Sequence, residues 1–437
     1  MAIDRRKLLA GAGVLALGAP ALLNRAAAQP AAPAPPAPPP APEVARRRRI
    51  GEAAAANRQR LDYDGSRFSG AAWETLVAHG REAMFFLLGE EHGIAENPKL
   101  AAQLFAALAP SGYSKVAIEI SPPMAAELDR ALSAGGPAAL NRMLTAPASR
   151  VAFYGMREEA EWLAAARRAS PRGRLLWGTD YEVGADRHLI ARLRGKRMPA
   201  AAAAALGRLE AASTQSWARF DATRGPEHIY SFAGDPELVR AVRAAWPRAD
   251  AEAAWMLETL EETFAINRLW VAGRAWESNA RRSAFMRANL LRHWRAEKAV
   301  GRSPRVFFKF GASHVVRGRN HSEVFDMGSL APEIAALEGG TAYHLLVLAG
   351  VGRQVAALDP TQFRYRPVPV QGSYFTGLEP ILEQAFGDAM TLFDMRPLRP
   401  LLGPSRAPAG PDLMRAVHGF DAILVMTGST PSSNLGG

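Results

Sequence analysis

Cysteine is absent from the 437 residues. That excludes disulfides, thiol nucleophiles and cysteine-ligated metals, so any metal would rest on His, Asp or Glu. No internal apolar run reaches the ~20 residues that a membrane span needs. No Gly-x-Ser-x-Gly elbow occurs, so the sequence signature of a serine nucleophile is missing. There is no basic patch interleaved with aromatics of the kind that grips single-stranded nucleic acid, and no nucleic-acid partner is expected. No internal repeat is visible.

What is present begins with an export signal. Asp4-Arg5-Arg6-Lys7-Leu8-Leu9 opens a short apolar segment that runs to Leu23, and Ala26-Ala27-Ala28 offers small residues for cleavage before Gln29. This is the charged, apolar and small-residue succession of a secretory signal. The paired arginines resemble the twin-arginine signal, whose substrates are handed to their export machinery already folded. The expectation is a signal over residues 1–29, cleaved near Ala28, and a periplasmic mature chain without a stable membrane span. The formal charge of +11 shrinks accordingly. The first 29 residues carry four basic groups against one acid, so their removal leaves +8. Arg46 to Arg49 supply four more of those charges. The remainder is mildly basic.

Residues 30–42 are almost wholly Pro and Ala and predict an extended spacer, with a linker over 30–50. The folded part then covers 51–437. Hydrophobic residues make up 48% of the chain, enough for a large core in one or two domains. Residues 51–80 read as two helices around a turn at Asp64-Gly65, with Ser69 as N-cap of the second. Phe85-Phe86-Leu87-Leu88-Gly89 reads as a buried strand, Lys99 to Leu108 as a helix, and Lys115 to Ile120 as a second strand. This strand–helix–strand succession predicts two parallel neighbours. Met124–Leu132 and Arg157–Arg168 read as helices, and Arg174 to Asp180 as a third strand. From about 186 to 300 no strand is convincing, which predicts a helical insertion that ends in a long helix from Trp276 to Ala296. Strands resume at Arg305–Phe310, Tyr343–Leu348, Met390–Phe393 and Ala422–Met426, with a Pro-rich loop at Pro397–Pro411. The fold class is α/β (α+β), a mixed and mostly parallel sheet flanked by helices.

The chemistry sits at the strand ends. The first strand runs straight into Gly89-Glu90-Glu91-His92-Gly93. Charges there do nothing for folding and are costly to desolvate unless paired. In extended chain Glu90 and His92 share one face and Glu91 takes the other. The second strand carries Glu119, the third ends in Asp180, and the strand from Arg305 runs into Gly311-Ala312-Ser313-His314. In open parallel sheets ligands bind beyond the carboxyl ends of the strands, which would gather these groups around one crevice. On the long helix Arg282, Met286 and Asn289 share a face. Spacing alone favours a solvated helix there. The remaining histidines, His79, His188, His228, His293, His321, His344 and His418, read as surface or packed residues, although His321 lies close enough to His314 to join a site. Trp255, Trp270 and Trp276 read as core, or as an apolar mouth.

Gly89-Glu90-Glu91-His92-Gly93, Glu119 and Gly311-Ala312-Ser313-His314 resemble the erythromycin esterase-like branch of a superfamily that includes ChaN-type haem-binding lipoproteins and TIKI/TraB-type proteins. Arg282-Ser283-Ala284-Phe285-Met286-Arg287-Ala288-Asn289 resembles the esterases' Arg-Asp-x-x-Met-Ala-x-Asn helix, and this raises Arg282 and Asn289 to candidates. His418-Gly419-Phe420-Asp421-Ala422-Ile423-Leu424 resembles their closing strand. The chain departs from that pattern in three places. Glu90 and His92 stand one residue closer than in the esterases, Ser283 replaces the helix acid, and Gly311-Ala312 replaces their His-Asn. Gly311 to Val315, with Gly318, is closer to the TIKI/TraB pattern. Neither macrolide specificity nor proteolysis is implied.

The resemblance implies a hydrolase that uses an activated water on an ester, lactone or related acyl bond of a small-molecule substrate. His92 is the expected general base, oriented by Glu90 and assisted by Glu119. His314 and Arg282 are expected to stabilise the oxyanion. Asn289, Asp180 and Glu91 are the expected substrate contacts. Two alternatives stay open. His92, His314, Glu90 and Glu119 are the ligand set of a divalent-metal variant. A haem-binding protein of ChaN type would need an axial His or Tyr, and Tyr113, Tyr154 and Tyr181 are available.

Overall fold

The computed structural model describes residues 41–370, 376–402 and 410–436. The expected signal, most of the Pro/Ala run and part of the Pro397–Pro411 loop lie outside them. The strands are β1 (Arg58–Tyr63), β2 (Phe68–Ser69), β3 (Phe85–Glu90), β4 (Tyr113–Ile118), β5 (Leu176–Gly178), β6 (Arg305–Gly311), β7 (Ala342–Ala349), β8 (Gln354–Asp359), β9 (Arg364–Pro369), β10 (Met390–Asp394) and β11 (Ala422–Met426). Nine of them form one mixed sheet in the order β2-β1-β10-β11-β7-β3-β6-β4-β5, and β8 and β9 form a separate hairpin. The run β11-β7-β3-β6-β4-β5 is parallel throughout. β10 and β1 close the other edge antiparallel.

Side chains alternate across this sheet, and both faces are buried, as a parallel sheet requires. Phe86, Leu88 and Phe307 pack against Leu104, Phe105 and Trp162 of the helices Glu96–Leu108 and Arg157–Ala169. Phe85, Leu87 and Phe308 pack on the opposite side against Met286, Leu290 and Trp294 of the helix Ala275–Lys298. Among the described residues, β5 and β6 are joined by helices alone, from Asp186–Arg194 to Ala275–Lys298. No helix among the described residues is long and apolar enough to cross a membrane.

Four expectations need correction. β3 and β4 are parallel but not adjacent, because β6 lies between them and pairs with both. Residues 51–80 hold two short strands as well as helices. β1 is a polar stretch that pairs along the sheet edge, where apolar patterning is weak. The helix Ala71–Glu82 is capped by Gly70 at φ 94°, so Ser69 is the end of β2 and not the cap. The first helix, Ala41–Ala56, begins before the expected boundary and buries Ile50 and Ala54.

Candidate active site

The register of β3, β6 and β4 brings three strand ends level. Glu90 faces Gly311 across the β3–β6 pair, and Ile118 faces Lys309 across β4–β6. Glu119 follows directly on β4, Asp180 lies two residues beyond β5, and His314 sits in the single helical turn Ala312–Val315 after β6. The strand ends therefore converge as expected, and the helix Ala275–Lys298 crosses above them with Arg282.

Glu119 is the hub. Its Oε2 accepts the backbone N–H of Gly311 at 2.7 Å and lies 3.4 Å from His92 Nε2. Its Oε1 accepts from Arg282 at 3.0 Å and lies 3.3 Å from His314 Nε2. Arg282 also forks onto Asp180, with Nε on Oδ1 at 3.0 Å. His314 is held from its other nitrogen, Nδ1, by Asp326 at 2.8 Å, and the Ser283 hydroxyl donates to the same Asp326 oxygen at 2.7 Å. The acid that the resemblance misses at position 283 is thus replaced by a hydroxyl that anchors the partner of His314.

Behind Glu119 lies a closed ionic floor. His92 Nδ1 meets Glu90 Oε1 at 2.5 Å. Glu90 Oε2 takes Lys309 Nζ at 2.7 Å and the Asn97 amide. Lys309 also bridges to Glu159 at 2.6 Å. The His92 ring stacks on Phe153, with centroids 4.2 Å apart. Phe153 adopts φ 64°, a left-handed conformation rare for an aromatic residue. Its N–H donates to the Tyr365 hydroxyl of β9 at 2.6 Å. All of these charges are buried, which is tolerable because they are paired.

Burial opposes charge on both rings but is outweighed. Glu90 and Glu119 push His92 up to about 9, and Glu119 and Asp326 push His314 up to about 10. Burial likewise works against the Glu119 carboxylate, yet His314 and His92 hold it well below the usual carboxylate range. Glu159 differs, because burial lifts it to about 7 in spite of Lys309. The resting site at neutral pH is therefore two imidazolium rings around carboxylates.

A cavity of about 210 Å³ opens over this hub, bordered by Glu119, Arg282, Gly311, His314, Asp326 and Trp270. His92 does not border it directly. It approaches through Gly311, where a Cβ would stand 2.8 Å from His92 Nε2 and 3.3 Å from Glu119 Oε2. That nitrogen is buried, and the Glu119 carboxylate at 3.4 Å is its ion-pair partner. Ser313 and His321, which meet at 3.3 Å, line the cavity as well. His321 is therefore at the site.

Two expected substrate contacts lie elsewhere. Asn289 donates to the Thr179 carbonyl at 2.9 Å and accepts from Trp255, so it ties the long helix to the end of β5. Glu91 turns to the far side, as its register demands, and accepts the Ala349 N–H at 3.1 Å. Asp180 is spent on Arg282. Tyr113 donates to backbone carbonyls at Gly80 and Ala83, Tyr181 is buried beneath Arg282, and none of the three tyrosines borders the cavity. Among the described residues no group of three or more His, Asp and Glu is arranged to hold a metal ion.

Sequence reasoning missed Lys309, Glu159, Asn97 and Asp326. Lys309 did leave a signal. It is a lone cation inside Phe307-Phe308-Lys309-Phe310, and a buried lysine needs a carboxylate. Asp326 and Glu159 are sequence-distant acids with nothing local to mark them.

Comparison with solved structures gives a class for this architecture. The chain shares its fold with a mutant of the erythromycin esterase EreC in its open conformation, at TM-score 0.57 and 16% identity, over 86% of this chain and 98% of that one. It likewise matches a succinoglycan biosynthesis protein at TM-score 0.56 and 13% identity, over 89% and 98%. A Bacillus cereus protein matches at TM-score 0.53 and 14% identity, over 89% and 99%. No family model matches the chain, and no curated protein matches it. The erythromycin esterase-like resemblance read from the motifs is thus met at the level of the fold.

Proposed function

We propose that the chain is a hydrolase that directs a water molecule at an ester, lactone or related acyl bond of a small substrate. One observation carries this reading. A glycine notch at the cavity floor sets Nε2 of His92 against the Glu119 carboxylate, under a lid of Arg282 and His314.

In this reading neutral His92 takes a proton from water at the notch through Nε2, while Glu90 holds Nδ1–H and stabilises the imidazolium. The water oxygen bonds to the acyl carbon. Arg282 and His314, both charged, receive the developing oxyanion. The C–O bond to the alcohol breaks, and the proton held by His92 passes to the departing oxygen. A pKa of about 9 leaves only about one His92 in a hundred neutral at pH 7, so turnover should climb with pH. We read the reaction as metal-free, since Glu119 and Glu90 are already committed to His, Arg and Lys partners. The cavity sits below the ~300 Å³ lower end of ordinary ligand sites, which suits a small acyl substrate rather than a macrolide.

The purified chain should hydrolyse members of a panel of aryl and alkyl esters and lactones, and the rate should be unaffected by chelator. His92→Gln should abolish it. Unchanged hydrolysis by His92→Gln would sink the assignment. We also propose export through the twin-arginine route, supported by Arg5-Arg6 and Ala26-Ala27-Ala28. N-terminal sequencing of periplasmic protein should begin near Gln29, and replacing both arginines by lysine should leave the precursor inside.

A further inference from the structure

A second cavity, of about 270 Å³, shares no lining residue with the first. Its apolar lining comes from Leu144, Val151, Val183, Leu358, Phe363 and Leu435. Four separate pieces of chain contribute these residues: residues 144–151, Val183 beyond β5, the β8–β9 hairpin and the segment at Leu435. The hairpin is tied down by Tyr365, whose N–H donates to Asn434 Oδ1 at 2.9 Å. Arg150 and Arg364 are also among the residues that line it.

Arg150 is short of counter-charge. Its guanidinium lies 4.6, 4.9 and 5.3 Å from the ring centroids of Trp217, Phe363 and Phe220. A second guanidinium, Arg187, lies 4.6 Å from Trp217 as well. The Arg150 carboxylate contact is Asp221 at 3.7 Å, beyond hydrogen-bond range and half-exposed. Nη1 of Arg150 is buried with no hydrogen-bond partner. Burial and the Arg187 charge both press the Arg150 pKa down. Aromatic faces attract a guanidinium but do not neutralise it. A partly desolvated cation beside an apolar hollow is a recognition element for a planar anion on an apolar stem.

We propose that this cavity binds a small organic monocarboxylate, its carboxylate on Arg150 and its hydrocarbon part among Leu144, Val183 and Leu435. The site is independent of the hydrolase reading.

Calorimetric titration of the full chain tests this with three probes: hexanoate, hexanol and inorganic phosphate. Hexanoate should bind at a single saturable site, and the other two should bind at least tenfold more weakly. Arg150→Gln should weaken hexanoate at least tenfold. Leu435→Trp, which fills the hollow and leaves Arg150 in place, should do the same, with circular dichroism confirming that both variants are folded. Absence of hexanoate binding overturns the proposal. Equal binding of hexanol shows that the charge is not read, equal binding of phosphate shows that the apolar body is not read, and either result also overturns it. Undiminished binding to folded Arg150→Gln overturns it as well.

Discussion

The floor and the mouth of the site use the same chemistry to different ends. On the floor, Lys309 sits between Glu90 and Glu159 and every charge is shut away from solvent. At the mouth, Glu119 sits between Arg282 and His314 under an open cavity. Both are carboxylates bracketed by cations. The floor is a closed ion cluster, whose net worth to stability is small but whose disruption is costly. The mouth can exchange partners with a ligand. His92 touches both, through Glu90 below and Glu119 above. Under the proposed hydrolase reading, the floor fixes a ring and the mouth performs the reaction.

That division can be broken in graded steps. Glu119→Gln removes the hub and should lower kcat/KM by roughly a thousandfold in an ester assay, since it leaves three cations without their shared partner. A surviving rate would move the chemistry away from the mouth. Lys309→Met should act mainly on folding. It strands two buried carboxylates, so urea unfolding should show a loss of about 3–5 kcal/mol. A stable, inactive Lys309→Met protein would instead place the floor in the reaction.

The two raised histidines fix the pH behaviour. Their folded pKa values exceed the ordinary value near 6.5, so the stability they lend is complete below that value and fades as pH rises through about 9 and 10. Glu90 and Glu119 are shifted downward, so their share is lost as pH falls below the ordinary carboxylate range. Thermal midpoints should therefore be highest near neutrality, whereas the hydrolysis rate should still be rising there. Coincident maxima would remove His92 as base.

Gly311→Ala should cost tens of fold in kcat with only a small fall in Tm, because its methyl carbon would crowd His92 Nε2 at 2.8 Å. Glu91→Ala should matter least. Glu91 faces β7, and its loss should leave kcat within about twofold while removing one hydrogen bond worth about 1 kcal/mol.

The sequence already displayed much of this site, because strand ends advertise charge. Glu90, His92, Glu119 and His314 each interrupt or terminate an apolar run, and all four meet. Asn289 failed for the opposite reason. Helical spacing placed it near Arg282 but could not reveal the Thr179 carbonyl that claims it. Strand order was illegible because local βα alternation carries no trace of a strand that arrives from far along the chain. The β8–β9 hairpin was hidden by Pro367 and Pro369 in β9, residues that argue against a strand except at an exposed edge.

The position of β6 has a consequence for how the chain acquires its shape. β3 and β4 are made early, yet each pairs with a strand that follows the whole helical insertion. Until β6 is synthesised, two apolar strands lack their central neighbour and Glu90 and Glu159 lack Lys309. Such long-range closure makes folding slow and leaves unpaired edges exposed in the interval. Glu90, His92, Glu119 and His314 are brought together in the same event that completes the sheet.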